Sequence, residues 1–434
     1  MTPARLLGRL PRGYRPLLAA RGPFRRLLPA LAVSDLGDGM SVVAVAWLAL
    51  QLAPPGAPGL FVGAAVAVHV LPGALGALLL GRWLRGLPAA RLIRADAWTR
   101  AVFLGCVPLG WALGVLDPAL YLALLAGSSL LHAWGGSAKY ALVAETLPGE
   151  QRLAANALLS TSASVSTVVG PVLAGVLAAA VAPAWLIGLD ALSFAVLAVR
   201  AGRLGAPDRP SPDRDRVARA PAADAPAADA PSGEGPRVLR ARPELFGLLA
   251  MTWLFNLCYG PVEVALPLFV GEELHAGPGL LGLYWAAFGT GAVAGALFAG
   301  ALRRLPLWPV LLGIVAGHGL AMLPFGLHAP AAVPLAGFAL AGVIYGPYNA
   351  LAFTLFQNLT PPAALTAVLA FRSAVLLAAS PVGAALGGPL TTALGPPAVL
   401  AGAGLAMLAT AAVATALRAR RTKPAAEPRA YGRA

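Results

Sequence analysis

Residues Ala220–Asp229 read APAADAPAAD, one pentapeptide written twice, inside a charged and proline-rich stretch that runs from Arg200 to Arg242. This stretch lacks apolar periodicity, and its composition cannot bury enough surface to fold alone. On both sides of it the chain is almost entirely apolar. The pattern therefore predicts two apolar halves that are joined by a disordered, solvated linker at residues 204–242.

The composition of the two halves is that of a membrane protein. Hydrophobic residues make up 58% of the chain and charged residues only 12%, which lies outside the usual balance of soluble proteins. Apolar runs of 18 or more residues recur, each long enough to cross about 30 Å of hydrocarbon as a helix. The two cysteines, Cys106 and Cys258, fall in different predicted spans, so no disulfide framework is expected.

The net charge of +14 is distributed in a way that indicates a membrane topology and argues against nucleic-acid binding. Basic residues concentrate in alternate segments between the predicted spans, as the positive-inside rule requires. Twelve spans with both termini and the linker in the cytoplasm satisfy every cluster, so we expect a multi-pass plasma-membrane protein in the lipid bilayer. The clusters are Arg5 to Arg26, Arg82 to Arg100, Arg200 to Arg242, Arg303–Arg304 and Arg418 to Lys423.

An internal repeat supports a division into two halves of six spans. The end of span 2, Gly76–Gly81, reads GALLLG and matches GALFAG at Gly295–Gly300 in span 8. Such repeats are typical of transporters that bind their substrate between two related halves. The predicted parts are a basic cytoplasmic tail (1–26), an N-terminal six-helix bundle (27–203), the linker (204–242), a C-terminal six-helix bundle (243–418) and a cytoplasmic tail (419–434).

Four segments together resemble the major facilitator superfamily, most closely its twelve-span drug:proton antiporter branch, which contains macrolide-efflux proteins and enterobactin exporters. They are VSDLGD at Val33–Asp38, ANALLS at Ala155–Ser160, LDALSF at Leu189–Phe194 and GPVEVALP at Gly260–Pro267. The resemblance implies an all-α membrane protein with twelve transmembrane helices in two pseudo-symmetric six-helix bundles. It also implies a central cavity lined by spans 1, 4, 7 and 10.

Two segments resemble gating motifs of that superfamily. In span 5, Gly170, Pro171 and Gly175 match part of its antiporter motif; small residues let helices approach closely, and a proline bends a helix. Ordinary helix packing explains these residues equally well. In the loop after span 2 the usual acid is replaced by glycine, although Arg82 remains. Asp96 and Arg100 are one helical turn apart, and we predict an ion pair between them.

Acidic residues within the predicted spans are the candidates for proton coupling. Ionisable side chains inside a bilayer are costly, and they mark functional sites by default. Asp35 and Asp38 lie on one face of span 1, and Glu263 lies between two prolines in span 7. The alternative for each is a structural hydrogen bond to a neighbouring helix. Asp190 in span 6 is expected to have such a structural partner.

Aromatic and polar residues in other spans are candidates for the wall of the substrate cavity. Tyrosine and tryptophan offer apolar area with a polar tip, which suits an amphipathic ligand; packing or membrane-interface anchoring is the alternative. We expect Tyr345 and Tyr348 to share a face of span 10. The full set is His69, Trp134, Tyr140, Tyr345, Tyr348 and Asn349.

Motifs of soluble chemistry are absent from the sequence, which contains no Walker loop, Gly-x-Ser-x-Gly, His-Glu-x-x-His or Cys-x-x-Cys. We therefore expect no enzyme activity, no cofactor and no metal site. The leading hypothesis is a monomeric, proton-coupled exporter of a small amphipathic molecule such as a drug, siderophore or secondary metabolite. The alternatives are a facilitator or importer of the same fold, and a membrane-embedded enzyme or non-transporting membrane protein.

Overall fold

The computed structural model describes residues 22–84, 86–178, 180–204, 234–302, 304–327, 329–361 and 364–422. Across these ranges the chain is helical and contains no strand. Nine of the helical segments in them are long and apolar enough to cross a membrane, and Pro58–Gly73 is a shorter apolar segment. The all-α membrane fold predicted from the composition is confirmed.

The N-terminal half consists of eight helical segments. Several begin with proline in the first turn, where the missing N–H has no intrahelical partner to lose. The backbone N–H of Leu120 donates to the Asp117 carboxylate at 2.8 Å, which caps the fifth segment. The segments are α1 (Pro23–Leu52), α2 (Pro58–Leu79), α3 (Gly81–Leu84), α4 (Ala89–Ala112), α5 (Pro118–Ser129), α6 (His132–Thr146), α7 (Gly149–Leu177) and α8 (Pro183–Gly202).

The C-terminal half repeats this arrangement after one additional helix, α9. Its segments are α9 (Glu234–Ala241), α10 (Pro243–Leu268) with a π-helical turn at Phe269–Glu273, α11 (Pro278–Leu297), α12 (Ala299–Leu302), α13 (Leu307–Met322) with a 3₁₀ turn at Leu323–Gly326, α14 (Ala332–Tyr345), α15 (Tyr348–Leu359), α16 (Leu365–Leu377), α17 (Ala379–Leu394) and α18 (Pro396–Thr422).

Three predicted spans that were expected to be continuous are each divided into two helices of 12 residues or more. Span 4 forms α5 and α6, span 10 forms α14 and α15, and span 11 forms α16 and α17. In span 10 the division falls at Gly346 and Pro347, where proline removes a backbone donor. In span 11, Pro381 cannot donate to the carbonyl one turn earlier, at Leu377, where α16 ends. No local sequence signal accounts for the division in span 4.

The structure confirms the predicted repeat. A short helical turn, α3 or α12, follows the second helix of each bundle. Gly76 packs against the carbonyl of Leu130, and Gly295 packs against that of Val343. In both halves this contact joins the second helix to the divided fourth span, so the two bundles are built on the same backbone plan.

The end of the predicted linker differs from the expectation of disorder. Residues 234–241 form α9, and Leu239 is buried among apolar side chains of the C-terminal bundle. The Arg242 guanidinium also donates to the Leu359 carbonyl at 2.9 Å. One apolar face is enough to hold this segment against the bundle. The remainder of the predicted linker, residues 205–233, lies outside the described residues, as do residues 1–21 and 423–434.

The most extensive packing between the two bundles involves two helix pairs, α2 with α17 and α7 with α11. Gly63 lies against Gly388 in the first pair, and Gly175 lies against Gly282 in the second. Glycines allow backbones to approach this closely because no Cβ intervenes. These contacts lie toward the helix ends that the charge pattern predicts to be extracellular.

Candidate functional site

Charged side chains from four helices of the N-terminal bundle gather around α1. We call this group the charge cluster and define it as Asp35, Asp38, Asp96, Arg100, Lys139 and Asp190. A Cβ at Gly37 would meet the Asp190 carboxylate of α8, and one at Gly39 would meet the backbone of Ser166 in α7. The small residues of the segment VSDLGDG thus bring both neighbouring helices close to the α1 acids.

Asp38 is held by Arg100. The two carboxylate oxygens accept from the two terminal guanidinium nitrogens at 2.7 and 3.0 Å, a bidentate geometry that is stronger and more directional than a single contact. The guanidinium also lies 4.2 Å from the centre of the Phe194 ring. The predicted ion pair between Asp96 and Arg100 is therefore wrong for this structure, because Arg100 reaches across to α1 instead.

Asp35 is held by Lys139, whose ammonium nitrogen lies 2.5 Å from one carboxylate oxygen. Ser162 donates to the other carboxylate oxygen at 2.6 Å, and Ser166 donates to the backbone carbonyl of Asp35. Both acids of span 1 thus already have a cation. No local sequence pattern pairs Lys139 of α6 with Asp35, because the two residues come together only through helix packing.

Asp190 and Asp96 complete the cluster without a direct ion pair. Asp190 is fully buried, and its carboxylate accepts a hydrogen bond from Ser41 at 2.6 Å. Asp96 is 6% exposed and rests against Gly135 of α6, where a Cβ would overlap its carboxylate. One Asp96 oxygen, Oδ1, is buried without any hydrogen-bond partner in the described chain.

Two histidines lie beside the cluster. His69 of α2 and His132 of α6 are both electrostatic neighbours of Asp38 and Arg100. His132 is exposed, whereas the Nδ1 atom of His69 is buried without a partner. Within the described residues, no group of three histidine, cysteine or acidic side chains is placed to hold a metal ion.

The corresponding region of the C-terminal bundle is built from rings. We call it the aromatic cluster and define it as Phe255, Tyr259, Trp285, Phe288, His318, Phe338, Tyr345 and Tyr348. Its closest ring centroids are 4.9 Å apart, between Phe288 and Phe338 and between Phe255 and Tyr348. Five helices contribute to it: α10, α11, α13, α14 and α15. Most of its rings are buried, but Tyr259 and Tyr345 remain partly exposed.

Glu263 lies beside this cluster. Asn256, Tyr259 and Glu263 follow one another on one face of α10 at helical spacing. Ser380 of α17 donates to the Glu263 carboxylate at 3.3 Å. Within the described residues no cation forms an ion pair with it. Glu263 is therefore a partly exposed acid with an aromatic neighbour and a weak, neutral partner.

Two of the predicted cavity residues, Tyr345 and Asn349, have accessible side chains. Tyr345 is partly exposed and accepts a hydrogen bond from the side-chain amide of the exposed Asn349 at 2.9 Å. The rings of Tyr345 and Tyr348 do stack, with centroids 6.3 Å apart. Tyr348, however, is fully buried, and its hydroxyl donates to Thr252 at 3.1 Å. Tyr348 belongs to the core of the bundle, and its assignment to the cavity wall is wrong.

The two candidates in span 4, Trp134 and Tyr140, contact other helices of their own bundle. The Trp134 indole N–H donates to the Gly76 carbonyl at 3.1 Å, which fastens α6 to α2. Tyr140 is half-buried against the core that contains α1. Among the described residues, no ring contact joins Trp134 or Tyr140 to Tyr345.

The span 5 residues lie at two close helix contacts. Gly170 packs on the backbone of Gly39 within its own bundle, whereas the Pro171 carbonyl and Gly175 pack on Gly282 of the other bundle. Helix α7 remains continuous through Pro171. Asp96 and Arg100 belong to the charge cluster, and the side chain of Arg82 lies outside the described residues.

The chain is similar in sequence to known membrane transporters. The family model for the Major Facilitator Superfamily matches residues 27–370 and 262–433. An uncharacterised MFS-type transporter, y4rN of Sinorhizobium fredii, is 28% identical over 399 residues, which cover 86% of this chain and 90% of that protein. Multidrug efflux pump Tap of Mycobacterium tuberculosis is 27% identical over 382 residues, covering 86% and 87%.

Solved structures show the same fold at lower identity. A bacterial metal transporter superposes with a TM-score of 0.66 at 17% identity, covering 92% of this chain and 99% of that one. The nucleoside transporter NupG superposes with a TM-score of 0.66 at 13% identity, covering 91% and 99%. At these identities the likeness concerns the fold alone.

Proposed function

This chain belongs to the major facilitator superfamily, and from that premise we propose that it is a proton-coupled exporter of small amphipathic organic cations. Its membership makes it a membrane-embedded transporter of small molecules. The direction, the substrate class and the coupling ion are the parts that we infer from the site.

The observation that carries the proposal is the difference in partners among the acids of the two bundles. Asp35 and Asp38 are paired with Lys139 and Arg100, whereas Glu263 has only the hydroxyl of Ser380. A carboxylate within a membrane span that lacks a cation favours binding of a proton or another positive charge. Glu263 is thus suited to exchange a proton for a cationic substrate.

The surroundings of Glu263 favour an organic cation over a metal ion. Tyr259 stands one turn away on α10, with its ring 6.1 Å from that of Trp285 and 5.9 Å from that of Phe288. Aromatic faces attract cations and also bury apolar area. Tyr345 and Asn349 add a polar edge to the same wall. A hard metal ion would instead require several oxygen ligands.

Coupling follows when proton and substrate compete for one carboxylate. The bundles are joined at Gly63–Gly388 and Gly175–Gly282, toward the predicted extracellular side. We take this as the state that receives substrate from the cytoplasm. Each ligand shifts the equilibrium between inward and outward states only as far as its affinity for them differs. Proton release at Glu263 would then accompany substrate uptake, and proton binding would drive substrate release outside.

The remaining parts of the proposal follow the charge pattern and the relatives. We place both termini and the linker in the cytoplasm, because basic residues concentrate in those segments. We expect a monomer in the plasma membrane. Export as the direction is supported by the Tap proteins, which are named multidrug efflux pumps.

The experiment uses purified full-length protein in liposomes with an imposed pH gradient and ethidium as the cationic probe. The wild type should move ethidium against its gradient only when the pH gradient is present. Glu263→Gln should abolish that dependence while retaining ethidium exchange in counterflow. Glu272→Gln, at an exposed acid in the turn after α10, is the matched control and should behave as wild type.

Three outcomes would reject the proposal. Unchanged pH-gradient dependence in Glu263→Gln would exclude this residue as the coupling site. Efficient counterflow in the wild type without any accumulation under a gradient would identify a facilitator instead. Accumulation in the inward direction would identify an importer.

A further inference from the structure

Two unsatisfied polar atoms lie on the same stretch of α4. The Nε atom of Arg100 and the Oδ1 atom of Asp96 are both buried, and neither has a hydrogen-bond partner in the described chain. The first is a donor and the second an acceptor, and buried groups of this kind cost free energy while they remain unpaired. The residues are four apart, so their side chains project from the same face of the helix.

We propose that Arg100 is a positioning residue with two alternative ion-pair partners, which we call its stations. It binds Asp38 in this structure, and it binds Asp96 instead when Asp38 loses its negative charge. The proposal rests on the proposed function in one respect, namely that transport is coupled to protons; it adds Asp38 as a second carboxylate that a proton neutralises during the cycle. The two stations themselves follow from the geometry.

The composition of the charge cluster provides a carboxylate for this second station. The charge cluster as defined contains four carboxylates and two cations, and the two direct ion pairs use Asp35 and Asp38. Arg100 is only 3% exposed. If Asp38 became neutral, the buried guanidinium would lose its direct ion-pair partner, which is destabilising. A rotation of its side chain toward Asp96 avoids that state without moving any helix.

Asp96 is a better second partner than the other acid within reach. Asp190 already accepts a hydrogen bond from Ser41, whereas Oδ1 of Asp96 is vacant. An acid four residues before a base is also the favourable order on a helix. The other groups that act electrostatically on this site, from the helices packed around it, are His69 of α2, His132 and Lys139 of α6, and Asp190 of α8.

Movement of the Arg100 guanidinium from Asp38 to Asp96 would change the charge at a contact with a neighbouring helix. Asp96 is about 6 Å along α4 from Arg100, at 1.5 Å per residue, and rests against Gly135 of α6. Gly135 lies one turn before Lys139, the partner of Asp35. Arrival of the guanidinium at Asp96 therefore places a positive charge at the contact between α4 and α6. This contact is suited to report the state of Asp38 to span 4.

A thermal double-mutant cycle on the purified full-length protein tests the two stations without any transport. Asp38→Asn and Asp96→Asn should each lower the apparent Tm modestly, because Arg100 keeps one carboxylate. The double variant should lose about 5 °C more than the sum of the single shifts, since its guanidinium then has neither. Additive shifts would overturn the proposal.

Two further variants test which acid is the second partner of Arg100 and provide a result if the double variant does not fold. If Asp38→Asn combined with Asp190→Asn shows the excess loss instead, the second station is Asp190 and the proposal is wrong. If the Asp38→Asn, Asp96→Asn double variant yields no folded protein, Arg100→Gln is added to it. Recovery of folded protein supports the proposal, because the uncompensated charge is gone; no recovery overturns it.

Transport kinetics separate a positioning role from a merely structural one. Asp96→Asn should lower kcat for ethidium about tenfold with KM unchanged, because only the exchange step is impaired. Asp96→Glu should restore most of that loss. A changed KM at normal kcat would contradict the role assigned to Asp96. If the wild type moves no ethidium, the proposed function fails while the thermal cycle still decides the two stations.

Discussion

The two bundles share one backbone plan and carry opposite side-chain chemistry. In the N-terminal bundle α1 crosses α7 where Gly39 meets Gly170, and in the C-terminal bundle α10 crosses α17 where Gly260 meets Gly383. Around the first crossing lie the six residues of the charge cluster. Beside the second lie the aromatic cluster and a single acid, Glu263. Repetition of the crossing glycines preserved the fold, while the residues between them acquired different roles.

The acids also lie at different levels relative to these crossings. Asp38 precedes Gly39 by one residue, whereas Glu263 follows Gly260 by three. The difference of four residues corresponds to about 6 Å along a helix. The two halves therefore do not present a symmetric pair of acids. In our proposal the C-terminal half binds the cationic ligand, and the N-terminal half responds to a change of charge.

The largest expected effect comes from removing the central cation of the charge cluster. Arg100→Leu removes the buried guanidinium and leaves the partly exposed Asp38 without its partner, and we expect a loss of about 3 kcal/mol in the free energy of unfolding. The measurement is thermal unfolding of the purified protein, with Arg237→Leu at an exposed position of α9 as the control. Equal stability of the two variants would contradict the idea that the N-terminal half depends on charge pairing.

The crossing glycines test whether the shared backbone plan is equally strict in both halves. Gly170→Val and Gly383→Val each place a side chain against the backbone of the facing helix. We expect each to lose about 1–3 kcal/mol, since overpacking forces the helices apart. Gly247→Val is the control, because nothing lies within 4 Å of a Cβ at that position. If only one of the two variants lost stability, close helix packing at the crossing glycine would be required in one bundle and not in the other.

The acid of the C-terminal half should matter for transport and hardly at all for stability. Glu263→Gln removes no ion pair, so the apparent Tm should stay close to that of wild type. Transport driven by a pH gradient should fall tenfold or more. Asp35→Asn provides the contrast, because it leaves Lys139 without its carboxylate and should lower the Tm. A large Tm loss in Glu263→Gln would show that this acid is structural.

The smallest expected effect concerns Tyr259, the partly exposed ring beside Glu263. Tyr259→Ala removes an aromatic face and should weaken ethidium binding about fivefold, as expected for one cation–π contact of about 1 kcal/mol. Tyr259→Phe retains the face and should bind as wild type. Fluorescence titration of the purified protein measures both. If Tyr259→Phe weakened ethidium binding as much as Tyr259→Ala, the hydroxyl rather than the ring would be the group that contacts the ligand.

Sequence patterns predicted the fold well because membrane insertion depends on local composition. The repeat at Gly76–Gly81 and Gly295–Gly300 anticipated equivalent packing in the two halves. The division of span 4 was not predicted, because it has no proline and coincides with a contact from Gly76 in another helix. Of the cavity candidates, Tyr345 and Asn349 lie at a surface, whereas Tyr348 and Trp134 bond within their bundles.

The sequence alone determined that the chain crosses a membrane, that it consists of two related halves, and which residues are costly to bury. These properties depend on hydropathy, charge distribution and short repeats along one chain. Only the tertiary structure decided how the buried charges are paired. The spacing of Asp96 and Arg100 is ideal for a pair on one helix, yet Arg100 holds Asp38. The partner of Arg100 is the carboxylate that can accept hydrogen bonds from both terminal guanidinium nitrogens. The packing of helices against one another alone sets that geometry.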